Sequence, residues 1–432
     1  MLKRHRRLLR ISAMGLASGI AAGVSVLLFR WLIEEGQALF LPGHAVGNYE
    51  ALPVWERIVT PLVGGVALGF VFSRLAPEHR QVGIAHVIDR LHSDLENPVR
   101  LPLPNLLAQF FGGIAAIVFG HSVDREGPGV HIGAAVAGQG RRLLGDKAED
   151  SFVLAACGAA AAIAAAFNTP LAGIVFVIEV LRVRYRVERY LPIIIAAVVG
   201  AVLSQIAYGP MPAFDIPPLH LGSLRELPFM VLVGLLTGIA STLFVDLIRQ
   251  TARISAGWSP LVAFPLAGLV TGLLAIEAPQ IMGISYDSLE RMLRGELLAP
   301  ALLVIIGAKL LATGLSVGLR VPGGLIGPAF VIGGGIGAAA HFLAAGWHEG
   351  LASSPSFYAL VGMAAMMGAS LRAPLAALTA LLELTWNPGI ILPGMIAVIS
   401  AELMNNLVLG QDSVFTALLK VQGSGAALNT RT

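Results

Sequence analysis

Long apolar segments, several of them broken by glycine or proline, recur along nearly the whole chain. They cover residues 11–35, 57–75, 104–119, 152–181, 190–208, 228–247, 258–275, 301–318, 324–345, 356–384 and 389–409. A helix that crosses the hydrocarbon core of a bilayer needs about 20 residues. The shorter segments must be tilted, re-entrant or shielded by protein, because lipid cannot satisfy backbone polar groups. The pattern predicts an all-α polytopic membrane protein without a separate soluble domain.

The low content of charged residues supports this prediction and excludes other classes of protein. Only 13% of the 432 residues are charged, against about 25% in soluble domains. The net charge is +3, and the basic residues cluster between apolar runs, which argues against a nucleic acid partner. The single cysteine, Cys157, excludes a disulfide framework and a cysteine-ligated zinc site. We therefore predict no cofactor and no metal, and the lipid bilayer as a partner.

The N-terminus carries basic residues at positions 3, 4, 6, 7 and 10, followed by an apolar run from Ile11 to Phe29. This order is also typical of a secretory signal peptide. The apolar run is long for a signal core, and no convincing small-residue cleavage site follows it. We therefore predict a first membrane helix with the N-terminus in the cytoplasm.

An internal repeat divides the chain into two similar halves. Residues 154–180 align without a gap on residues 358–384. The alignment pairs Gly158 with Gly362, Pro170 with Pro374 and Glu179 with Glu383. Just upstream in each half, EGPGVHIGA at 126–134 matches IGPAFVIGG at 326–334. We predict an N-terminal half over 1–215, which carries Glu126, and a C-terminal half over 216–432.

The interrupted segments lie at corresponding places in the two halves, which is typical of a transport site at the interface of repeats. A helix that begins at Gly127 or near Ile326 points its free N–H groups, with about half a positive charge, at the break. Two such ends that face each other would bind a small anion without a full positive charge. A third helix end is predicted near Gly83.

Glu126 distinguishes one half from the other, because its partner in the repeat is Ile326. A carboxylate inside a membrane segment usually faces an internal pathway. Placed at an anion-binding helix end, ionised Glu126 would occupy the site, and would leave it when protonated or displaced by a permeating ion. We predict that Glu126 is a gate. The alternative interpretations are a salt bridge with Arg125 and a position at the water interface.

Four motifs together resemble the CLC family of chloride channels and chloride/proton exchangers. They are DREGP at 124–128, PGGLIGP at 322–328, AAFNTPLAG at 165–173 and LELT at 382–385. The resemblance implies a homodimer with one pore per subunit, each built from two inverted halves of tilted helices, and chloride as the transported ion. It implies that Glu126 gates the pore and that the N–H groups of Leu325 and Ile326 line the central anion site, near Gly127.

The chain departs from the family pattern at several positions. Asp124 replaces the usual glycine, and we expect it to add a negative charge near the outer entrance. Val82, beside Gly83, stands where a serine usually contacts the anion, and Phe415 stands at the usual tyrosine. A hydrogen bond to a charged group contributes about 1.5–3 kcal/mol, so anion binding should be weaker and less selective unless water substitutes. Bromide, nitrate and fluoride are therefore alternatives to chloride.

Proton coupling is open on the sequence alone. Val180 stands where exchangers commonly carry an inner proton-transfer glutamate. The preceding Glu179 has a mate, Glu383, at the same place in the other half, so a structural cap is the favoured interpretation and a proton relay the alternative. A proton path would run through Glu126, Glu179 and Val180. The resemblance leaves a passive channel and a proton-coupled exchanger as competing predictions.

Several other polar residues lie in or beside the apolar segments. We predict that Lys309 snorkels or is paired, and that Arg320 lies in the inner vestibule or anchors the membrane interface. His86, His121 and His131 lack metal-ligand spacing. An intramembrane enzyme would need a nucleophile and base, paired aspartates or a metal cluster, and no such motif is found. A structural or lipid-scrambling protein would not account for a carboxylate in one half only.

The chain ends soon after Phe415. The cytoplasmic CBS domains that many eukaryotic members of the resembled family carry are therefore not expected. We predict a multi-pass protein of a prokaryotic plasma membrane.

Overall fold

The computed structural model describes residues 2–93, 99–140, 148–183, 187–214, 216, 219–347 and 353–423. Within these ranges the chain is helical apart from short turns and one isolated β-bridge. The α-helices are α1 Leu2–Phe40, α2 Val54–Arg74, α3 Gly83–His92, α4 Leu103–Val118, α5 Glu126–Gly138, α6 Ala148–Phe167, α7 Pro170–Glu179, α8 Val187–Tyr208, α9 Leu227–Ile254, α10 Pro260–Leu274, α11 Tyr286–Leu293, α12 Ala299–Gly318, α13 Ile326–Trp347, α14 Pro355–Leu371, α15 Pro374–Thr385, α16 Ile391–Glu402 and α17 Val414–Val421.

Eight helices among the described residues are long and apolar enough to cross a membrane by length and composition. They are α1, α2, α6, α8, α9, α12, α13 and α16, the last of these together with its flanking turns. The shorter apolar helices lie between them. α6 and α14 form the centre of the protein, since nearly all of α6 and every residue of Ser356–Leu371 is buried. This architecture confirms the predicted all-α polytopic membrane fold.

Two apolar segments predicted as single units are each two helices. Segment 152–181 breaks between α6 and α7, where Asn168 has φ of 57°, and segment 356–384 breaks between α14 and α15, where Arg372 has φ of 53°. Proline explains both breaks, since Pro170 and Pro374 lack the N–H that a continuing helix would need and disfavour helical backbone in the residue before them. The apolar segments also did not predict the short helices α11 and α17.

The two halves use the same close approach between neighbouring helices. A Cβ atom on Gly158 of α6 would lie 2.0 Å from the carbonyl oxygen of Gly133 on α5. A Cβ atom on Gly362 of α14 would lie 2.1 Å from the carbonyl oxygen of Gly333 on α13. The glycines that pair in the sequence repeat therefore permit equivalent helix crossings.

The α7 and α15 helices run in opposite directions and cap each other. Glu179, at the end of α7, accepts hydrogen bonds from the Leu375 and Ala376 N–H groups at the start of α15, at 3.0 and 2.7 Å. Glu383, near the end of α15, accepts from the first N–H groups of α7 at 2.9 and 2.8 Å. The interpretation of both carboxylates as caps is thus confirmed, and equivalent helices of the repeat are inverted. The predicted boundary at residue 215 lies outside the described residues.

The first helix is an integral part of this arrangement. α1 packs against α5, α6 and α8, and its residues Ala22, Phe29 and Ile33 are buried in the main apolar core. The predicted first membrane helix is therefore confirmed as a packed element of the fold.

Candidate anion-binding site

The α5 and α13 helices begin at the same point in the protein interior. The residues just before them form a short antiparallel bridge, in which the N–H groups of Asp124 and Gly324 each donate to the other's carbonyl oxygen at 3.2 Å. Each helix has proline in its first turn, at Pro128 and Pro328, where the missing N–H costs nothing. The first N–H groups of both helices are thereby directed into one buried junction.

The Asp124 carboxylate occupies this junction. Its Oδ1 accepts a hydrogen bond from the Gly127 N–H at 3.0 Å, and its Oδ2 accepts from the Gly327 N–H at 2.8 Å. Asp124 is 0% exposed. Its side chain turns inward and caps the first turns of both helices.

Glu126 is the first residue of α5, and its side chain is also fully buried. Its Oε1 lies 3.5 Å from Nε of Arg125, which also contacts Glu34 through Nη1 at 3.2 Å. The Tyr286 hydroxyl faces the Glu126 carboxylate without reaching hydrogen-bond geometry, and neither Glu126 oxygen accepts a hydrogen bond from the described residues. Glu126 therefore has the ion pair predicted as an alternative, while its oxygens have no fixed donor.

A cavity of about 410 Å³ adjoins the junction. Five of the predicted anion-binding residues line this one cavity: Val82, Gly83, Gly127, Leu325 and Phe415. The predicted site residues that do not line this cavity are Ile326, Glu126, Glu179 and Val180.

The cavity wall carries positive charge. Arg80 and Arg320 line the cavity, and none of the described residues that line it carries a carboxylate. The Arg320 Nη2 donates to the Ser255 carbonyl oxygen at 2.7 Å and to that of Trp258 at 3.3 Å, which fixes the guanidinium in place. Basic residues in a cleft with low-dielectric walls raise the local concentration of anions. The vestibule interpretation of Arg320 is consistent with this position.

Side-chain hydroxyls are missing at the two positions where the resemblance expects them. Val82 precedes α3, which starts at Gly83 with φ of 81°, and Phe415 lies on the first turn of α17. The donors near these positions are therefore backbone N–H groups at helix starts. Val180 follows α7 as a buried apolar residue.

Two further buried polar clusters lie in the fold. Lys309 donates from Nζ to the carbonyl oxygens of Ile281 and Gly283, each at 3.0 Å, and to Ser285 Oγ at 2.8 Å. The interpretation of Lys309 as a paired residue is confirmed. His86 and His131 form a buried contact of 3.2 Å between Nδ1 and Nε2, which sequence reasoning missed because 45 residues separate them. The described residues contain no group of three or more potential metal ligands.

Comparison with known proteins places these observations in a family context. The family model described as Voltage gated chloride channel matches residues 64–406. Proteins named H(+)/Cl(-) exchange transporter ClcA, from the M66-2 and El Tor Inaba N16961 strains of Vibrio cholerae serotype O1, are 30% identical over 424 residues. Each alignment covers 94% of this chain and 88% of the relative.

Solved structures share the fold. The crystal structure of a slow cyanobacterial Cl⁻/H⁺ antiporter has a TM-score of 0.83 and 22% identity, and the match covers 98% of this chain and 99% of that one. A CLC-type fluoride/proton antiporter gives a TM-score of 0.79 at 20% identity, over 95% and 98% of the two chains. A eukaryotic CLC transporter gives 0.76 at 23% identity, over 96% of this chain and 74% of its own.

Proposed function

This chain belongs to the voltage-gated chloride channel (CLC) family, and we propose that it transports chloride across the membrane through a pore in each subunit. The resemblance read from the four sequence motifs is thereby confirmed at the level of the family. Transport rather than catalysis is the proposed activity, since the CLC family consists of channels and transporters.

One observation carries the proposal. The N-termini of α5 and α13 meet in the protein interior and hold a negatively charged group, the Asp124 carboxylate, through N–H groups from both helices. Helix N-termini favour anions through their free N–H groups and the helix dipole. Among the described residues, the wall of the adjoining cavity carries two arginines and no carboxylate, which favours entry of an anion.

Glu126 is the proposed gate, and the N–H groups near Gly83 and Leu325 are the proposed anion donors at the cavity. The N–H groups of Gly127 and Ile326 are the proposed donors at the junction, where that of Gly127 donates to Asp124 in this structure. Support for the gate comes from the burial of Glu126 and from its oxygens, which accept no hydrogen bond from the described residues. When the Glu126 side chain moves, it gives up the ion pair with Arg125 but no hydrogen bond from the described residues. Val82 and Phe415 would contribute apolar contacts only, so fluoride and nitrate are tested beside chloride.

Proton-coupled exchange is the second candidate, and passive conduction is its competitor. The relatives at 30% identity are named H(+)/Cl(-) exchange transporters, which favours exchange. Val180, which has no ionisable group, favours passive conduction. In an exchanger of this sequence, protons would have to pass the position of Val180 by another route.

The proposed assembly is a homodimer in a prokaryotic plasma membrane. The relatives named as exchangers are bacterial, and the multi-pass helical fold fits this location. Cross-linking of the purified protein in lipid vesicles tests the dimer. A product of twice the subunit mass supports it, and a monomer at every cross-linker concentration rejects it.

Anion flux through vesicles tests the proposed activity. Purified protein is reconstituted into liposomes, an anion gradient is imposed, and chloride efflux and external pH are recorded together for the wild type, Glu126→Gln and the control Glu383→Gln. We expect electrogenic chloride flux in the wild type and in Glu383→Gln, and altered flux in Glu126→Gln. Uphill proton movement that is lost in Glu126→Gln identifies an exchanger, and chloride flux without proton movement identifies a channel. Absence of flux for chloride, fluoride and nitrate would reject transport.

A further inference from the structure

Asp124 is the charged group that lies at the helix junction itself. Its two carboxylate oxygens accept from Gly127 on α5 and Gly327 on α13, at 3.0 and 2.8 Å. The bridge to Gly324 fixes the backbone of Asp124. Because its side chain accepts from both helices, that side chain cannot leave the junction without breaking a hydrogen bond to each of them. The junction therefore already contains an anion that is covalently part of the chain.

A second anion has no donors left at this position. The N–H groups that a free halide would use point to Asp124, and a halide there would face a carboxylate at close range in a buried place. The same limit applies to the neighbouring Glu126, whose oxygens accept no hydrogen bond from the described part of the chain. The Gly127 and Gly327 N–H groups therefore serve one negative group at a time.

The junction borders the cavity. Gly127 and Gly324, which contact Asp124 through their backbones, also line the cavity wall. An anion that reaches the end of the cavity near these glycines thus meets the N–H groups held by Asp124. The position of the Asp124 carboxylate therefore determines whether these N–H groups are free to bind the anion.

We propose that the Asp124 carboxylate is a tethered anion that fills the anion position at the junction of α5 and α13. The transported anion is then held by the cavity and the remaining N–H groups, and it occupies the junction only while the Asp124 side chain has left it. This inference rests on the proposed anion transport and assigns Asp124 as a residue that determines how many anions are bound and how tightly.

Two substitutions separate this role from simple helix capping. Asp124→Gly removes the side chain and frees the N–H groups of both helices. Asp124→Ser removes the charge but keeps an oxygen that can cap Gly127, and so protects the fold if Asp124→Gly is unstable. Glu383→Gln is the matched control, because Glu383 also accepts two N–H groups at a helix start, that of α7.

Bromide serves as the probe. Anomalous scattering from crystals grown in bromide locates the anion, and calorimetry on detergent-solubilised protein measures its affinity. For Asp124→Gly we expect a new bromide peak between the N–H groups of Gly127 and Gly327, with affinity tighter by about tenfold or more. In Asp124→Ser the bromide affinity should also increase, by a smaller factor. Glu383→Gln should have the bromide affinity and the bromide positions of the wild type.

Two results would overturn the inference. The first is a bromide peak at Gly127 and Gly327 in the wild-type protein. The second is wild-type affinity with no new peak in either Asp124 variant, which would make the residue a cap alone. Both readouts are independent of flux. If wild-type vesicles show no anion flux, the proposed function fails. The bromide position in the crystals still tests the inference about Asp124.

Discussion

The glycine contacts between α5 and α6 and between α13 and α14 lead to a quantitative prediction. We consider the substitutions Gly158→Ala and Gly362→Ala. The added Cβ atoms would lie 2.0 and 2.1 Å from the carbonyl oxygens of Gly133 and Gly333. Real Cβ atoms essentially never approach closer than 3.0 Å, so the helices must separate in both cases.

The expected loss of stability follows from two opposing effects. Alanine is favoured over glycine in a helix interior by about 1 kcal/mol. Overpacking a close contact costs up to about 3 kcal/mol, and the contact here is with backbone, which cannot rotate away as a side chain can. We therefore expect each substitution to lower the free energy of unfolding by about 2 kcal/mol. Unfolding in mixed detergent micelles, followed by helical circular dichroism, measures this change.

Gly307→Ala on α12 is the matched control, since nothing lies within 4 Å of a Cβ atom at Gly307. It should leave stability unchanged or raise it by up to about 1 kcal/mol. The reasoning is refuted if Gly158→Ala and Gly362→Ala are as stable as Gly307→Ala. A loss in only one of the two would mean that the repeats do not pack equivalently.

Three further predictions concern buried polar groups and the cavity. Glu179→Gln and Glu383→Gln should each lower unfolding stability by about 1 kcal/mol through weaker capping, and leave the proton dependence of transport unchanged; loss of coupling in Glu179→Gln alone would identify a proton relay. Lys309→Met should lower the free energy of unfolding by at least about 2 kcal/mol in the same assay, because the carbonyl oxygens of Ile281 and Gly283 lose the Lys309 donor. A variant as stable as the wild type would contradict this prediction. Val82→Ser and Phe415→Tyr should each tighten chloride binding by about tenfold, because each adds a hydroxyl donor at the cavity wall. Calorimetry measures this change, and an unchanged affinity would show that the hydroxyl does not reach the anion.

The sequence predicted the fold where the signal is local. The lengths of the apolar segments predicted membrane helices, and the repeat predicted equivalent helices in the two halves. The breaks at Pro170 and Pro374 are also local, and proline chemistry could have placed them. The short helices α11 and α17 were missed because each is a single element of 8 residues, too short to give an apolar run of membrane length.

The site was harder to predict because its contacts are long-range. Asp124 lies three residues before Gly127, a spacing typical of a cap. The second donor, Gly327, is 203 residues away, and nothing in the sequence between them indicates that it meets the same carboxylate. The contact between His86 and His131 was missed for the same reason. The repeat indicated that two helix ends correspond, but not which side chain would fill the space between them.

The asymmetry between the halves at this junction has a steric cause. Gly324 is the residue of the second half that faces Asp124 across the β-bridge. A Cβ atom on Gly324 would lie 1.9 Å from Oδ1 of Asp124, so a side chain at that position would push the Asp124 carboxylate out of the position that it holds. An inverted repeat with aspartate in both halves would place two carboxylates in one buried space with a single set of N–H donors. One half must therefore carry glycine where the other carries the charge, and the symmetric backbone holds one negatively charged group because of that difference.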